Sequence, residues 1–107
     1  MQEALVQDLG RNAYWTNLSE LNNIQEYCQH HIDNLDYYMR EIECDPPLIF
    51  APASSHVRYE PLGVALIMGS WNFPYFVTLK PLVSAIAAGN CAVVKPSEIG
   101  VCSAKVL

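Results

Sequence analysis

The sequence predicts an α/β fold in which a long amphipathic helix and an extended hairpin precede a strand–helix–strand (βαβ) unit. Residues 64–68 form a continuous apolar run of strand length, and Ala92–Val94 form a second, shorter run. Between them, the segment from Tyr75 to Ala88 carries apolar residues at helical spacing. Apolar runs without polar alternation are typical of strands buried on both faces. Two such strands joined by one helix form a parallel pair with a right-handed crossover.

The first 45 residues are predicted to be helical. Leu5, Val6 and Leu9 lie at helical spacing, and Gly10 ends that segment. Because no capping residue precedes it, we expect the helix to begin upstream and the sequence to be truncated at its start. A longer helix is predicted from about Thr16 to Glu43, before Asp45-Pro46-Pro47. Its apolar residues step by three and four: Leu18, Leu21, Ile24, Cys28, Ile32, Leu35, Met39 and Ile42.

Residues 48–60 are predicted to be extended and to form a hairpin with an exposed edge. Val57 and Tyr59 alternate with polar residues, as in a half-exposed strand. Pro52 fits an edge or a turn, because proline cannot donate to a strand ladder.

Residues 61–107 are predicted to contain the βαβ unit and the start of another helix. Pro61 and Gly63 lead into the first strand, Gly89-Asn90 ends the helix, and residues 95–98 lead from the second strand towards the next helix. That last helical pattern reaches Leu107 without an end signal, so we expect truncation at the C-terminus as well.

Composition and charge exclude several classes of protein. The net charge is −5, with ten acidic and three basic residues in 1–60, and one acidic and three basic residues in 61–107. The first part therefore predicts a solvated acidic surface, and the chain lacks the basic stripe of a nucleic-acid-binding protein. No apolar run is long enough to span a membrane, and the first residues lack the features of a signal peptide. The four cysteines lack C-x-x-C spacing, which favours free thiols in an intracellular, cytoplasmic protein over two disulfides.

The candidate site residues follow the ends of the two predicted parallel strands, where such sheets bind ligands. The Asn72 amide is a neutral donor suited to a carbonyl oxygen that becomes an oxyanion. The ammonium of Lys95 and the carboxylate of Glu98 suit the hydroxyls of a ribose, and an acidic ribose contact favours NAD over NADP. No G-x-G-x-x-G phosphate-binding motif is present.

Each of these residues also has a plainer interpretation. Asn72 by itself would more often satisfy backbone groups in a turn, and Glu98 would suit the first turn of a helix. Adjacent His30 and His31 point about 100° apart on a helix and do not ligate one ion, so no metal site is predicted.

Four motifs in this region resemble those of the aldehyde dehydrogenase superfamily, and most closely its class 3 branch. They are Glu60–Val64 (EPLGV), Trp71–Pro74 (WNFP), Ala85–Asn90 (AIAAGN) and Lys95–Glu98 (KPSE), in the family's order and spacing. The resemblance implies part of a Rossmann-like NAD(P)-binding domain. It also implies Asn72 as the oxyanion-hole amide, Lys95 and Glu98 as contacts to the adenosine ribose, and Phe73 as a wall of the substrate tunnel.

The same resemblance implies an NAD- or NADP-dependent oxidation of aldehydes to carboxylic acids through a cysteine thiohemiacetal. In that family the hairpin at 48–60 reaches the partner of a homodimer. The family's nucleophilic cysteine and general-base glutamate lie beyond residue 107, so residues 1–107 alone are expected to be inactive. The alternative is a non-catalytic structural or interaction subunit derived from an aldehyde dehydrogenase.

Overall fold

The computed structural model describes all residues, 1–107, and has the predicted α/β architecture. Five α-helices and four short strands follow one another along the chain. The helices are α1 (Gln2–Leu9), α2 (Ala13–Thr16), α3 (Asn22–Met39), α4 (Pro74–Ala87) and α5 (Val101–Val106). The strands are β1 (Ile42–Cys44), β2 (Ser55–Val57), β3 (Val64–Met68) and β4 (Cys91–Lys95).

The N-terminal third is helical, as predicted, but its long helix ends four residues early. Gly10 caps α1 in the left-handed conformation with φ 63°, which glycine adopts without a steric penalty. A π-helical turn, Asn17–Leu21, joins α2 to α3, and Arg40 ends α3 in an extended conformation. The prediction that Ile42 and Glu43 continue the helix is wrong, because both pair with β2 instead.

The hairpin therefore begins earlier than predicted. Strands β1 and β2 pair antiparallel, with Ile42 opposite Val57 and Cys44 opposite Ser55. Leu48–Phe50, predicted to be extended, forms a 3₁₀ turn within the connection, and Tyr59 lies beyond the end of β2. The connection between β1 and β2 thus contains Leu48–Phe50, the apolar residues that the sequence predicted to be extended.

The predicted βαβ unit is confirmed. Strands β3 and β4 pair in parallel from Val64 opposite Cys91 to Met68 opposite Lys95, and α4 forms the crossover. Helix α4 ends just before Gly89-Asn90, as expected. The Asn90 side-chain oxygen accepts a hydrogen bond from the Gly63 backbone N–H at 2.8 Å, which ties the start of β3 to the start of β4.

Only one face of the parallel pair is covered, so the prediction of strands buried on both faces is wrong for this structure. Ile67 is buried on the α4 side, whereas Val64, Leu66 and Met68 are exposed on the other face. Cys91 is exposed on that open face too. Helix α4, the crossover helix, packs on both strands and covers a single face of the pair.

The molecule is elongated and its core is small. The radius of gyration is 19.3 Å, compared with about 13 Å for a compact chain of 100 residues. The buried apolar residues are Ala4, Leu5, Ile67 and Tyr75, which lie where the N-terminal helices meet the βαβ unit. None of the helices combines the length and apolar character needed to cross a lipid bilayer.

Candidate functional site

The parallel strands bring two polar segments to one edge of the sheet. Because Met68 lies opposite Lys95, both strands end at the same level. The Gly69 N–H extends the ladder by donating to the Lys95 carbonyl oxygen at 2.9 Å. Residues 69–73 and 95–98 therefore leave the carboxyl edge of the pair, where parallel sheets bind their ligands.

Gly69 allows this turn to pass close to α4. A Cβ atom built on Gly69 would lie 2.0 Å from Oγ1 of Thr78, a contact that no side chain tolerates. Thr78 is fully buried, and its hydroxyl has no hydrogen-bond partner. A side chain at position 69 would push the end of β3 away from helix α4. The turn that carries Asn72 would be displaced as a result.

Asn72 lies exposed on this turn, and its side chain is oriented by one hydrogen bond. Its amide oxygen Oδ1 accepts from the Ser70 hydroxyl at 2.6 Å. The amide nitrogen Nδ2 makes no hydrogen bond within the chain, so its two donors face outwards. The side chain binds no backbone group, unlike the Asn of an ordinary turn.

Arg11 from the N-terminal segment contacts both the backbone of Asn72 and the side chain of Phe73. One guanidinium nitrogen donates to the Asn72 carbonyl oxygen. The guanidinium carbon also lies 4.3 Å from the centre of the Phe73 ring, within the range of a cation–π interaction. One face of the predicted tunnel residue is therefore covered by arginine.

Glu20 holds the first turn of α4. Pro74 occupies the first helical position, where its missing N–H removes one unsatisfied donor. The Glu20 carboxylate accepts from the next two donors, the N–H groups of Tyr75 at 3.0 Å and Phe76 at 3.2 Å. Its other oxygen accepts from Arg11 at 2.7 Å, and its side chain is fully buried. A carboxylate at a helix N-terminus also interacts favourably with the helix dipole.

Asp8 caps the start of α5 in the way that Glu20 caps the start of α4. Its carboxylate accepts from the N–H groups of Cys102 at 3.1 Å and Ser103 at 2.7 Å, in the first turn of α5. Partial burial opposes ionisation of Asp8, but hydrogen bonds from Ser103 and Cys102 outweigh it and lower the pKa of this carboxyl. The donors that commonly bind phosphate at helix N-termini are thus taken by side chains of the chain itself.

Lys95 and Glu98 form an exposed ion pair at the same edge. The Lys95 ammonium donates to Glu98 at 2.6 Å and to the Pro96 carbonyl oxygen at 3.2 Å. The hydrogen bond from Lys95 lowers the pKa of the Glu98 carboxyl below its usual value. Glu98 precedes α5 by three residues and is therefore not part of a helical turn. The ammonium of Lys95 is a donor and the ionised carboxylate of Glu98 is an acceptor, and together they fit the hydroxyls of one ribose.

The structure brings Asn72, Phe73, Lys95 and Glu98 to one edge as two separate groups, Asn72 with Phe73 and the ion pair of Lys95 with Glu98. The Lys95 side chain shares the open sheet face with its partner Met68, whereas Asn72 and Phe73 lead into α4 on the covered face. No hydrogen bond joins Asn72 to Lys95 or Glu98 in this structure. Two separate polar groups therefore lie along one edge of the sheet.

The sequence did not identify Asp8, Arg11 and Glu20, which hold the helix starts and the turn. All three lie in the part predicted to be a solvated acidic surface, yet Glu20 is fully buried. Their partners are 55 to 95 residues away for the two carboxylates and 61 residues away for Arg11. The one local signal is that Glu20 interrupts the apolar residues Leu18 and Leu21.

The environment of Cys102 does not favour a thiolate nucleophile. All four cysteines are free. Partial burial and the neighbouring Asp8 carboxylate raise the pKa of the Cys102 thiol above its usual value. A raised pKa disfavours the reactive thiolate at neutral pH.

Comparison with known proteins gives one consistent family. A sequence model described as the aldehyde dehydrogenase family matches residues 3–107. The chain is 42% identical over 107 residues to aldehyde dehydrogenase family 3 member B1 of Rattus norvegicus, covering all of this chain and 23% of that protein. It is 37% identical over 105 residues to the chloroplastic family 3 member I1 of Arabidopsis thaliana, covering 98% of this chain and 19% of that protein.

A solved structure shows the same fold. The substrate-bound state of Staphylococcus aureus AldH superimposes with a TM-score of 0.93 at 35% identity, over 97% of this chain and 23% of that one. The chain thus spans about a quarter of the length of the relatives that it matches.

Proposed function

The chain belongs to the aldehyde dehydrogenase family, and from that premise we propose that it forms part of an NAD(P)-dependent enzyme that oxidises aldehydes to carboxylic acids. One observation carries the proposal: the parallel pair ends with an oriented amide donor, Asn72, and with the ion pair of Lys95 and Glu98, at a single edge. The class 3 relatives, whose names include family 3, support assignment to that branch.

Asn72 is proposed to bind the aldehyde oxygen. The Ser70 hydroxyl binds Oδ1 and thereby orients the amide, while both N–H donors of Nδ2 stay free for a ligand at the turn. Such a donor stabilises the negative charge that develops on a carbonyl oxygen under nucleophilic attack. Phe73, which directly follows, is proposed to line the path of the aldehyde, with Arg11 fixing the tilt of its ring.

Lys95 and Glu98 are proposed to bind the adenosine ribose of NAD or NADP. The bound dinucleotide supplies the hydride acceptor for the oxidation. Glu98 is proposed to accept hydrogen bonds from the ribose hydroxyls; like any carboxyl of ordinary or lowered pKa, it is ionised at neutral pH. An ionised carboxylate there repels a 2′-phosphate, which favours NAD.

Assembly and location complete the proposal. The β1–β2 hairpin is exposed along its whole length, which suits a contact with a second copy in a homodimer. Four free cysteines suit the reducing cytoplasm. Sedimentation of the protein expressed from its complete reading frame tests the dimer, and a monomer at micromolar concentration contradicts it.

The activity is tested on the same full-length protein by following NADH and NADPH formation with a panel of aliphatic and aromatic aldehydes. We expect faster turnover with NAD, and a loss of about 10²–10³ in kcat for Asn72→Ala, the effect of removing one oxyanion donor. Asn22→Ala is the matched control, because Asn22 is exposed on α3 and makes no side-chain hydrogen bond.

Two results contradict the proposal. One is a wild-type protein that forms no reduced coenzyme with any aldehyde. The other is an Asn72→Ala variant whose kcat equals that of the control. The absence of activity together with a stable stoichiometric partner in a pull-down would favour the non-catalytic subunit.

A further inference from the structure

We infer that Arg11 and Glu20 are positioning residues that set the direction of the Asn72 amide, and thereby the rate of the chemical step. This inference rests on the proposed function of Asn72 and extends it to two side chains outside the βαβ unit. Neither residue reaches the outward donors of Asn72. Both act on the backbone that carries it.

The first step is that Arg11 binds the turn that carries Asn72. Its guanidinium donates to the Asn72 carbonyl oxygen through one nitrogen and to Glu20 through another, at 2.7 Å. The same planar group lies 4.3 Å from the centre of the Phe73 ring. A guanidinium presents its donors in a rigid fork, so these three contacts fix the Asn72–Phe73 peptide relative to Glu20.

The second step is the anchoring of Glu20 itself. Its carboxylate is fully buried and is held on one side by the N–H groups of Tyr75 and Phe76. It sits in the π-helical turn Asn17–Leu21, an irregularity that often marks functional positions. Because a buried carboxylate with three donors cannot swing into solvent, Glu20 holds Arg11 at a fixed distance from the start of α4.

The third step connects this anchor to the amide. The backbone of Asn72 is held by Arg11, and its Oδ1 is held by Ser70. With both fixed, the remaining freedom of the side chain is small, and Nδ2 points in one direction. Loss of Arg11 leaves Asn72 itself with only the Ser70 bond, so the exposed segment between the backbone hydrogen bonds of Gly69 and Phe73 becomes free to tilt. A displacement of about 1 Å at a catalytic group can lower a rate about 10²-fold.

A double-mutant cycle on the full-length protein tests the inference. We expect Arg11→Met to lower kcat about 10- to 100-fold while the KM for NAD changes less than twofold. In the Asn72→Ala background, Arg11→Met should lower kcat no further, because the group that it positions is absent. Arg40→Met is the matched control: Arg40 is exposed at the end of α3, where its guanidinium lies 4.1 Å from the centre of the Tyr37 ring, and its loss should leave kcat unchanged.

Arg11→Met leaves the buried Glu20 charge without its partner, so a second variant guards against misfolding. Arg11→Met/Glu20→Gln removes both charges and should show the same loss of kcat and the same lack of effect in the Asn72→Ala background.

The outcomes of this cycle distinguish the positioning role of Arg11 from the function of Asn72. If Asn72→Ala lowers kcat and Arg11→Met lowers it by the same factor in both backgrounds, the positioning role is overturned and the function of Asn72 stands. If Asn72→Ala leaves kcat unchanged, the function of Asn72 and the positioning role are both overturned.

Discussion

Removal of the Glu20 carboxylate should loosen the start of α4. Glu20→Ala leaves the N–H groups of Tyr75 and Phe76 without acceptors, and Tyr75 is fully buried. An unsatisfied buried donor costs about 1–3 kcal/mol, so two of them cost roughly 2–6 kcal/mol. Breaking a buried ion pair by removing one partner costs about 3–5 kcal/mol, in the same range. Arg11 retains some contact with solvent, which places the expected loss near the lower end, at about 3 kcal/mol.

Hydrogen exchange measures this loss at the two amides themselves. Because about 1.4 kcal/mol corresponds to a factor of ten, the Tyr75 and Phe76 amides should exchange about 100-fold faster in Glu20→Ala than in the wild type. Glu20→Gln keeps an acceptor oxygen and should show a smaller increase. The control is Glu26→Ala, because Glu26 is exposed on α3 and forms no ion pair. Equal exchange rates in Glu20→Ala and Glu26→Ala would refute the capping role.

Three further predictions concern the rest of the edge. Since hydrogen bonds from Ser103 and Cys102 outweigh desolvation and lower the pKa of Asp8, its stabilisation of α5 is present above the ordinary value of 3.8 and disappears as pH falls through the lowered pKa; amide chemical shifts in the first turn of α5 should titrate there, and the same titration in Asp8→Asn would contradict this. Gly69→Ala should destabilise the protein by about 1–3 kcal/mol in thermal unfolding. Adding Thr78→Ala should recover most of that loss, since it removes the clashing Oγ1, and a failure to recover it would contradict the steric cause. Glu98→Gln should raise the KM for NAD about 10- to 100-fold, from about 1.5–3 kcal/mol for a charged hydrogen bond, and reduce the preference over NADP; an effect no larger than that of Glu60→Gln would refute the ribose contact.

The sequence predicted those parts of the molecule whose signals are local. The strands β3 and β4 and the helix between them were identified from apolar runs of five residues or fewer, from helical spacing and from Gly89-Asn90. The sequence also predicts that both strands end at one edge of the sheet, because a parallel pair joined by one helix must end both strands on the same side. Asn72, Phe73, Lys95 and Glu98 could therefore be placed on one edge, whereas their proposed roles came from the residue chemistry and the family motifs.

The boundary between α3 and β1 was not predictable in the same way. Ile42 continues the apolar spacing of α3, and only its pairing with Val57 makes it part of a strand. Cross-strand hydrogen bonds form with a partner 15 residues away, so the helical spacing of Ile42 carries no information about them. Long-range pairing overrides local spacing at such a position.

The tertiary structure alone decided which carboxylates hold the helix starts. Asp8 and Glu20 lie in the acidic segment whose composition predicts a solvated surface. Each caps a helix only because folding brings it to backbone N–H groups that lie far along the chain. The same holds for Arg11, which meets Asn72 across 61 residues. The spacing of neighbouring residues predicts where most helices form, because backbone hydrogen bonds within a helix are local. The partner of a buried charge depends on how the finished elements are arranged in space, which the spacing of neighbouring residues does not specify.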